Sequence, residues 1–167
     1  MRILAIRVGR VGDTVMMTPA PSALLQCYPD ADFTLLASPE GKNLLKDFHP
    51  RIKEIWSWNR HGIIQNYLDQ KDIRRRTRLA NFDKIFCFDT SKRIAGLFRD
   101  IPAEFHWFKG SNTLKHSARH YLELVAATCP CDIDYFYNYL PVSEEAAQQV
   151  NAELKCYGIS QQDTLVM

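Results

Sequence analysis

No apolar run in this chain approaches the roughly 20 residues of a membrane span, and no charged leader precedes the first hydrophobic stretch. These absences exclude a helix that crosses a bilayer and lead to the expectation of a cytoplasmic protein. An excess of charge of one sign is missing too: 21 Lys and Arg stand against 19 Asp and Glu, a formal net charge of +2. A dedicated nucleic-acid binder carries a stronger, clustered excess, so nucleic acid is not expected as a partner. Glycine is sparse, and the turn at 9–12 has neither the Gly-Lys-Ser/Thr ending of a phosphate-binding P-loop nor the full Gly-x-Gly-x-x-Gly spacing. That counts against phosphate hydrolysis and dinucleotide binding.

The five cysteines, Cys27, Cys87, Cys129, Cys131 and Cys156, are too few and odd in number for a disulfide scaffold. We expect reduced thiols, with Cys27 and Cys87 as small core residues. Cys129-Pro130-Cys131 lacks the two-residue gap of zinc and thioredoxin motifs, and no second Cys/His pair stands near it, so no metal is expected. No repeat or low-complexity tract interrupts the chain; Pro141-Val142-Ser143 is the nearest candidate boundary.

What is present is the composition of an α/β domain, 46% hydrophobic and 24% charged. Residues 2–8 form an apolar, β-rich run suited to a strand buried on both faces. Gly9-Arg10-Val11-Gly12-Asp13 follows it, then a helical stretch. Thr18 reads as an N-cap with Pro19 at the first helical position, and Ser38-Pro39 repeats that signal after a strand at 33–37. A third strand at 52–56, a long helix at 63–79, a fourth strand at 84–88 and helices at 117–128 and 144–157 complete the pattern. Strand and helix alternate, which predicts a parallel sheet flanked by helices, a Rossmann-like fold.

Ligands of open α/β sheets sit beyond the carboxyl ends of the strands. In the first such turn, Gly9 and Gly12 permit positive φ and close backbone approach, and Arg10 can reach a phosphate. Asp13 reads either as an N-cap or as a general base. After the third strand, Trp58-Asn59-Arg60-His61-Gly62 combines an aromatic face with Arg60 and His61, a set suited to an anionic sugar or to a solvated turn. After the fourth, Asp89-Thr90-Ser91-Lys92 offers Ser91 and Lys92 as hydrogen-bond donors, or Thr90 or Ser91 as a cap. Arg74-Arg75-Arg76-Thr77-Arg78 spreads around a helix with Asp69 and Asp72 one turn upstream for pairing; it is a solvated face or an attraction to anionic lipid. A stand-alone nucleotide- or phosphate-binding module, with the Gly-Arg-Val-Gly cradle holding the ligand and Asp13 only capping, is the alternative reading of the first turn.

The order Arg-Ile-Leu-Ala-Ile-Arg, Gly-x-x-Gly-Asp and Thr-Pro-Ala resembles the N-terminus of family 9 glycosyltransferases, the bacterial lipopolysaccharide heptosyltransferases. Tyr28-Pro29-Asp30-Ala31-Asp32, Asn81-Phe82-Asp83-Lys84-Ile85 and His116 before Tyr121-Leu122-Glu123-Leu124 extend the likeness along nearly the whole chain. The resemblance implies one half of a GT-B enzyme, with residues 1–160 as the N-terminal acceptor-binding domain and 161–167 as the start of a donor-binding domain. It implies transfer of a sugar from a nucleotide donor such as ADP-heptose to the lipopolysaccharide core or lipid A acceptor, with Asp13 as the base. No metal or cofactor is implied, and the inner-membrane surface is the expected setting. At 89–93 the family's usual glutamine and glycine are absent.

Overall fold

The computed structural model describes residues 1–110 and 116–159; residues 160–167, and with them the boundary expected at 160/161, lie outside the described residues. Twelve elements follow one another: β1 (Arg2–Arg7), α1 (Val11–Met17), α2 (Pro19–Cys27), β2 (Asp32–Ala37), α3 (Pro39–Leu44), β3 (Ile52–Ser57), α4 (Ile63–Ala80), β4 (Lys84–Cys87), α5 (Lys92–Gly96), β5 (Glu104–Trp107), α6 (Ser117–Ala126) and α7 (Glu144–Cys156). The strands form one five-stranded sheet in the order β3-β2-β1-β4-β5, with every pairing parallel. The fold is Rossmann-like, as the alternation of strands and helices predicts.

Side chains alternate across each strand, so each apolar strand feeds two cores. Ile3 and Ala5 of β1, Phe33 and Leu35 of β2 and Phe86 of β4 pack with Met17, Leu24, Tyr121 and Val125 from α1, α2 and α6. Leu4 and Ile6, Leu36 and Ile85 face the other way, onto Ile73, Ala80, Ile94 and Phe98 beside α4 and α5. β1 is therefore buried on both faces, the reason its sequence carries no charge between Ile3 and Ile6.

Several local expectations are corrected. Helix α1 begins at Val11 with Arg10 at the N-cap, so Asp13 is not the cap residue but stands three positions inside. Its carboxylate still serves the helix end, accepting the Arg10 backbone N–H at 3.0 Å. Neither Gly9 nor Gly12 adopts positive φ, which is confined to Asn81, Gly62, Gly110 and Gly158 among the described residues. Thr18 occupies the N-cap of α2, but its backbone is already helical, because α1 runs almost directly into α2. Its hydroxyl donates to the Val15 carbonyl at 2.8 Å instead of capping. Ser38 and Ser91 do cap, accepting from the Gly41 and Ile94 N–H groups.

Cys27 is not a free core thiol: it is joined to Cys129 across 102 residues of chain, with Cα atoms 6.1 Å apart. The end of α2 meets the turn after α6 there, an encounter that no local pattern announces. Cys87, Cys131 and Cys156 are free, and burial pushes the Cys87 thiol up to about 12.

β5 is an element the sequence pattern hides. It is only four residues long, Glu104 and His106 alternating with Phe105 and Trp107, and is held to β4 by the Lys84–Glu104 ion pair and by His106 stacked on Phe86 at 4.7 Å. Burial lowers the His106 pKa, opposed by Glu104 and reinforced by Lys84. A lowered folded-state pKa means that His106 supports the fold fully above about pH 6.5, the unfolded value, and costs stability as the pH falls below it. His49, lowered by burial and Arg51, acts in the same direction. His106→Gln should therefore lose less stability than the parent between pH 7 and 5 in urea melts; equal slopes would exclude this role.

Candidate active site

The chain runs outward from β1 to β3 and then returns to lay β4 on the other side of β1, so β1 and β4 flank the point where the strand order reverses. The turns leaving them diverge there and open a crevice. A cleft of about 730 Å³ occupies this place, lined from β1 by Arg7 to Val11 and Asp13, from β2 by Ser38 to Glu40, from β3 by Trp58 to His61 and from β4 by Asp89 to Ser91.

The organising group is Arg7, the last residue of β1. Its guanidinium bridges two carboxylates, Asp13 at 2.7 Å and Asp89 at 3.1 Å. The two acids differ in what they can do. The Asp89 side chain is 4% exposed and fixed on its other oxygen by the Ser91 backbone N–H at 2.9 Å. The Asp13 side chain is 42% exposed and presents itself to the cleft. A carboxylate has about four lone-pair sites; Arg7 and the Arg10 N–H take two, one on each oxygen, and leave room for a hydroxyl. Asp89 thus holds the arginine, and Asp13 faces solvent with its geometry set. Tyr121 lies buried beside this trio, and burial pushes its hydroxyl pKa up.

Gly9 is explained by the same geometry. A Cβ on it would lie 2.5 Å from Asp13 Oδ2 and 2.7 Å from Asp13 Cβ, so only glycine lets the aspartate fold back over the turn. Gly12 is different: it lies in α1, exposed, and a Cβ there would meet nothing within 4 Å.

Of the residues singled out in the sequence, Gly9, Arg10, Asp13, Arg60, His61 and Ser91 gather around the one cleft, while Gly12 and Lys92 do not line it. Arg60 donates to the Val8 carbonyl at 2.9 Å and so ties the turn after β3 to the turn after β1. Trp58 does not offer its ring to a ligand: it is 2% exposed and donates its indole N–H to Asn66 Oδ1. Asp69 does not pair with the arginine cluster but accepts the Asn59 N–H at 2.8 Å. Arg74 and Arg78 instead share Asp100, and Arg75 pairs with Asp72. Arg7 is the residue the sequence reading missed. An arginine closing an otherwise apolar buried strand is itself a signal, because a half-sequestered cation needs an acidic partner. Among the described residues no group of three or more His, Cys, Asp or Glu is placed to hold a metal ion.

No protein-family model matches this chain, and no curated protein matches it by sequence. Solved structures do. A glycosyl transferase family 9 protein from Veillonella parvula superimposes with a TM-score of 0.80 over 97% of this chain, at 17% identity. The chain has the fold of the family 9 glycosyltransferases. ADP-heptose lipopolysaccharide heptosyltransferase II of E. coli matches over 97% of the chain with a TM-score of 0.67 and 19% identity. E. coli heptosyltransferase WaaC, solved with ADP, matches over 92% with a TM-score of 0.62 and 13% identity. The chain spans about half the length of these structures: 51%, 52% and 53%. WaaC has also been solved with ADP-2-deoxy-2-fluoro heptose.

Proposed function

We propose that this chain is the acceptor-side half of a glycosyltransferase that moves a heptose, or a related sugar, from a nucleotide donor such as ADP-heptose to a hydroxyl of the lipopolysaccharide inner core. One observation carries the reading: Asp13, a half-exposed carboxylate, is held by Arg7 and the Arg10 N–H at the strand-order reversal of a sheet whose fold is shared with family 9 glycosyltransferases. In this reading the acceptor hydroxyl sits against Asp13. As its oxygen bonds to the anomeric carbon, the bond from that carbon to the nucleotide diphosphate breaks, and Asp13 takes the hydroxyl proton. Attack opposite the leaving group inverts the anomeric centre.

Arg7 keeps Asp13 oriented toward the acceptor, and Asp89 keeps Arg7 in place. Arg10, Arg60, His61 and Ser91 surround the acceptor with donors suited to its hydroxyl and anionic groups. Lys92 and Gly12, set back from the cleft lining, are left with a lesser part at its rim. Nucleotide contacts belong, in this proposal, to a second domain, so the 167-residue chain is inactive alone.

Titration of the chain with deacylated inner-core oligosaccharide should shift the backbone NMR resonances of Gly9, Asp13, Arg60 and Ser91, whereas ADP should leave them in place. The reverse pattern would make the chain a nucleotide-binding module and overturn the acceptor-side assignment.

A further inference from the structure

Helix α4 has an outer face that nothing among the described residues covers. At about 100° per residue, Ile63, Ile64, Tyr67, Lys71, Arg75 and Arg78 project within an arc of about 120°, opposite the buried residues Ile73, Thr77 and Ala80. The apolar members sit in the first two turns, where Ile63 is 91% and Ile64 76% exposed and Tyr67 and Leu68 also face solvent. The last turns are cationic. Lys71, Arg74, Arg75 and Arg78 line, with Leu79, a shallow groove of about 330 Å³. Their neighbouring carboxylates are fewer: Asp72 beside Arg75, and Asp100 shared by Arg74 and Arg78.

We infer that this face docks on an anionic lipid bilayer. The chemistry of the two halves is what such a surface asks for. Exposed branched and aromatic side chains gain by leaving water for the acyl boundary, and lysine and arginine beside them gain from the negative headgroups. The long stems of Lys71 and Arg75 allow their charges to stay at headgroup level while the isoleucines enter. A protein partner would be served by the apolar turns alone; the excess of cations over carboxylates selects an anionic surface. Placement supports this. Ile63 and Ile64 follow directly on Trp58 to His61, which line the cleft, so docking through α4 would bring the cleft mouth to the plane of the membrane. The inference stands apart from the transferase reading, because its readout is lipid binding with no sugar nucleotide present.

The test is flotation of the 167-residue chain with vesicles of phosphatidylcholine and phosphatidylglycerol at 3:1, or of phosphatidylcholine alone, at low and high salt. The chain should float with the anionic vesicles and be released by salt. Lys71→Gln/Arg75→Gln should weaken partition about fivefold for each cation removed. Ile63→Ser/Ile64→Ser should weaken it at least about tenfold, and both variants should melt like the parent, since all four side chains are exposed. Equal flotation with neutral vesicles, flotation that the isoleucine pair leaves unchanged, or no flotation at all would overturn the inference. So would a dimer that the isoleucine substitutions dissociate in the absence of lipid affinity, which would assign the face to a second copy of the chain.

Discussion

Asp13→Asn, in a two-domain enzyme carrying this chain, is expected to lower turnover at saturating acceptor by about 10²–10⁴-fold, the usual contribution of a positioned general base. Stability should change by less than about 1 kcal/mol. The two expectations separate because the structure gives Asp13 two jobs. Asparagine keeps a side-chain oxygen for the Arg10 N–H, so the start of α1 survives. It loses the ion pair with Arg7, but that pair is partly solvated on the Asp13 side and Arg7 retains Asp89. What asparagine cannot do is accept the acceptor's proton. Turnover, donor affinity and a thermal melt on the same variant decide the matter: a rate within about tenfold of the parent would reduce Asp13 to a structural role.

Arg7→Ala is expected to be the most damaging single change near the cleft. It removes the one ion-pair partner that Asp89, a carboxylate with 4% side-chain exposure, has among the described residues, and leaves a buried charge uncompensated. Breaking a buried pair in this way costs about 3–5 kcal/mol, a fall in Tm of about 6–20 °C for a domain of this size. Arg7→Ala/Asp89→Asn should recover part of the loss, because the stranded charge is gone while the Ser91 N–H keeps an oxygen to bond. Urea or thermal unfolding of the three proteins measures it; a single variant within about 2 °C of the parent would show that the arginine is not the brace described above.

The elements read correctly from the sequence are those whose burial is periodic. β1 is apolar from Ile3 to Ile6 and β2 largely so from Phe33 to Ala37 because both faces are covered, and the helix read at 63–79 is α4, Ile63–Ala80. The caps of α3 and α5 were legible because a serine acts on its own next turn. β5 escaped because Glu-Phe-His-Trp, although it alternates, is only four residues long, and its support comes from β4, 20 residues earlier. Trp58 looked like a ligand platform because composition cannot say which way a ring faces; Asn66, two turns along the chain, decides it. Cys27 looked like a lone thiol for the same reason, since Cys129 is brought to it only by the packing of α2 on α6.

The sequence by itself determined the alternation of strands and helices, the parallel sheet and the presence of a glycine-aspartate turn after β1. These depend on local propensity and on hydrophobic period, which neighbouring residues carry. Only the tertiary structure decided which of two acids faces the cleft, that Arg7 joins them, that Gly9 is required by Asp13 while Gly12 is not, and that the outer face of α4 is left bare. Each of those facts is a relation between side chains from separate strands and helices. Parallel crossovers bring such partners together across long stretches of chain, where no local pattern reaches.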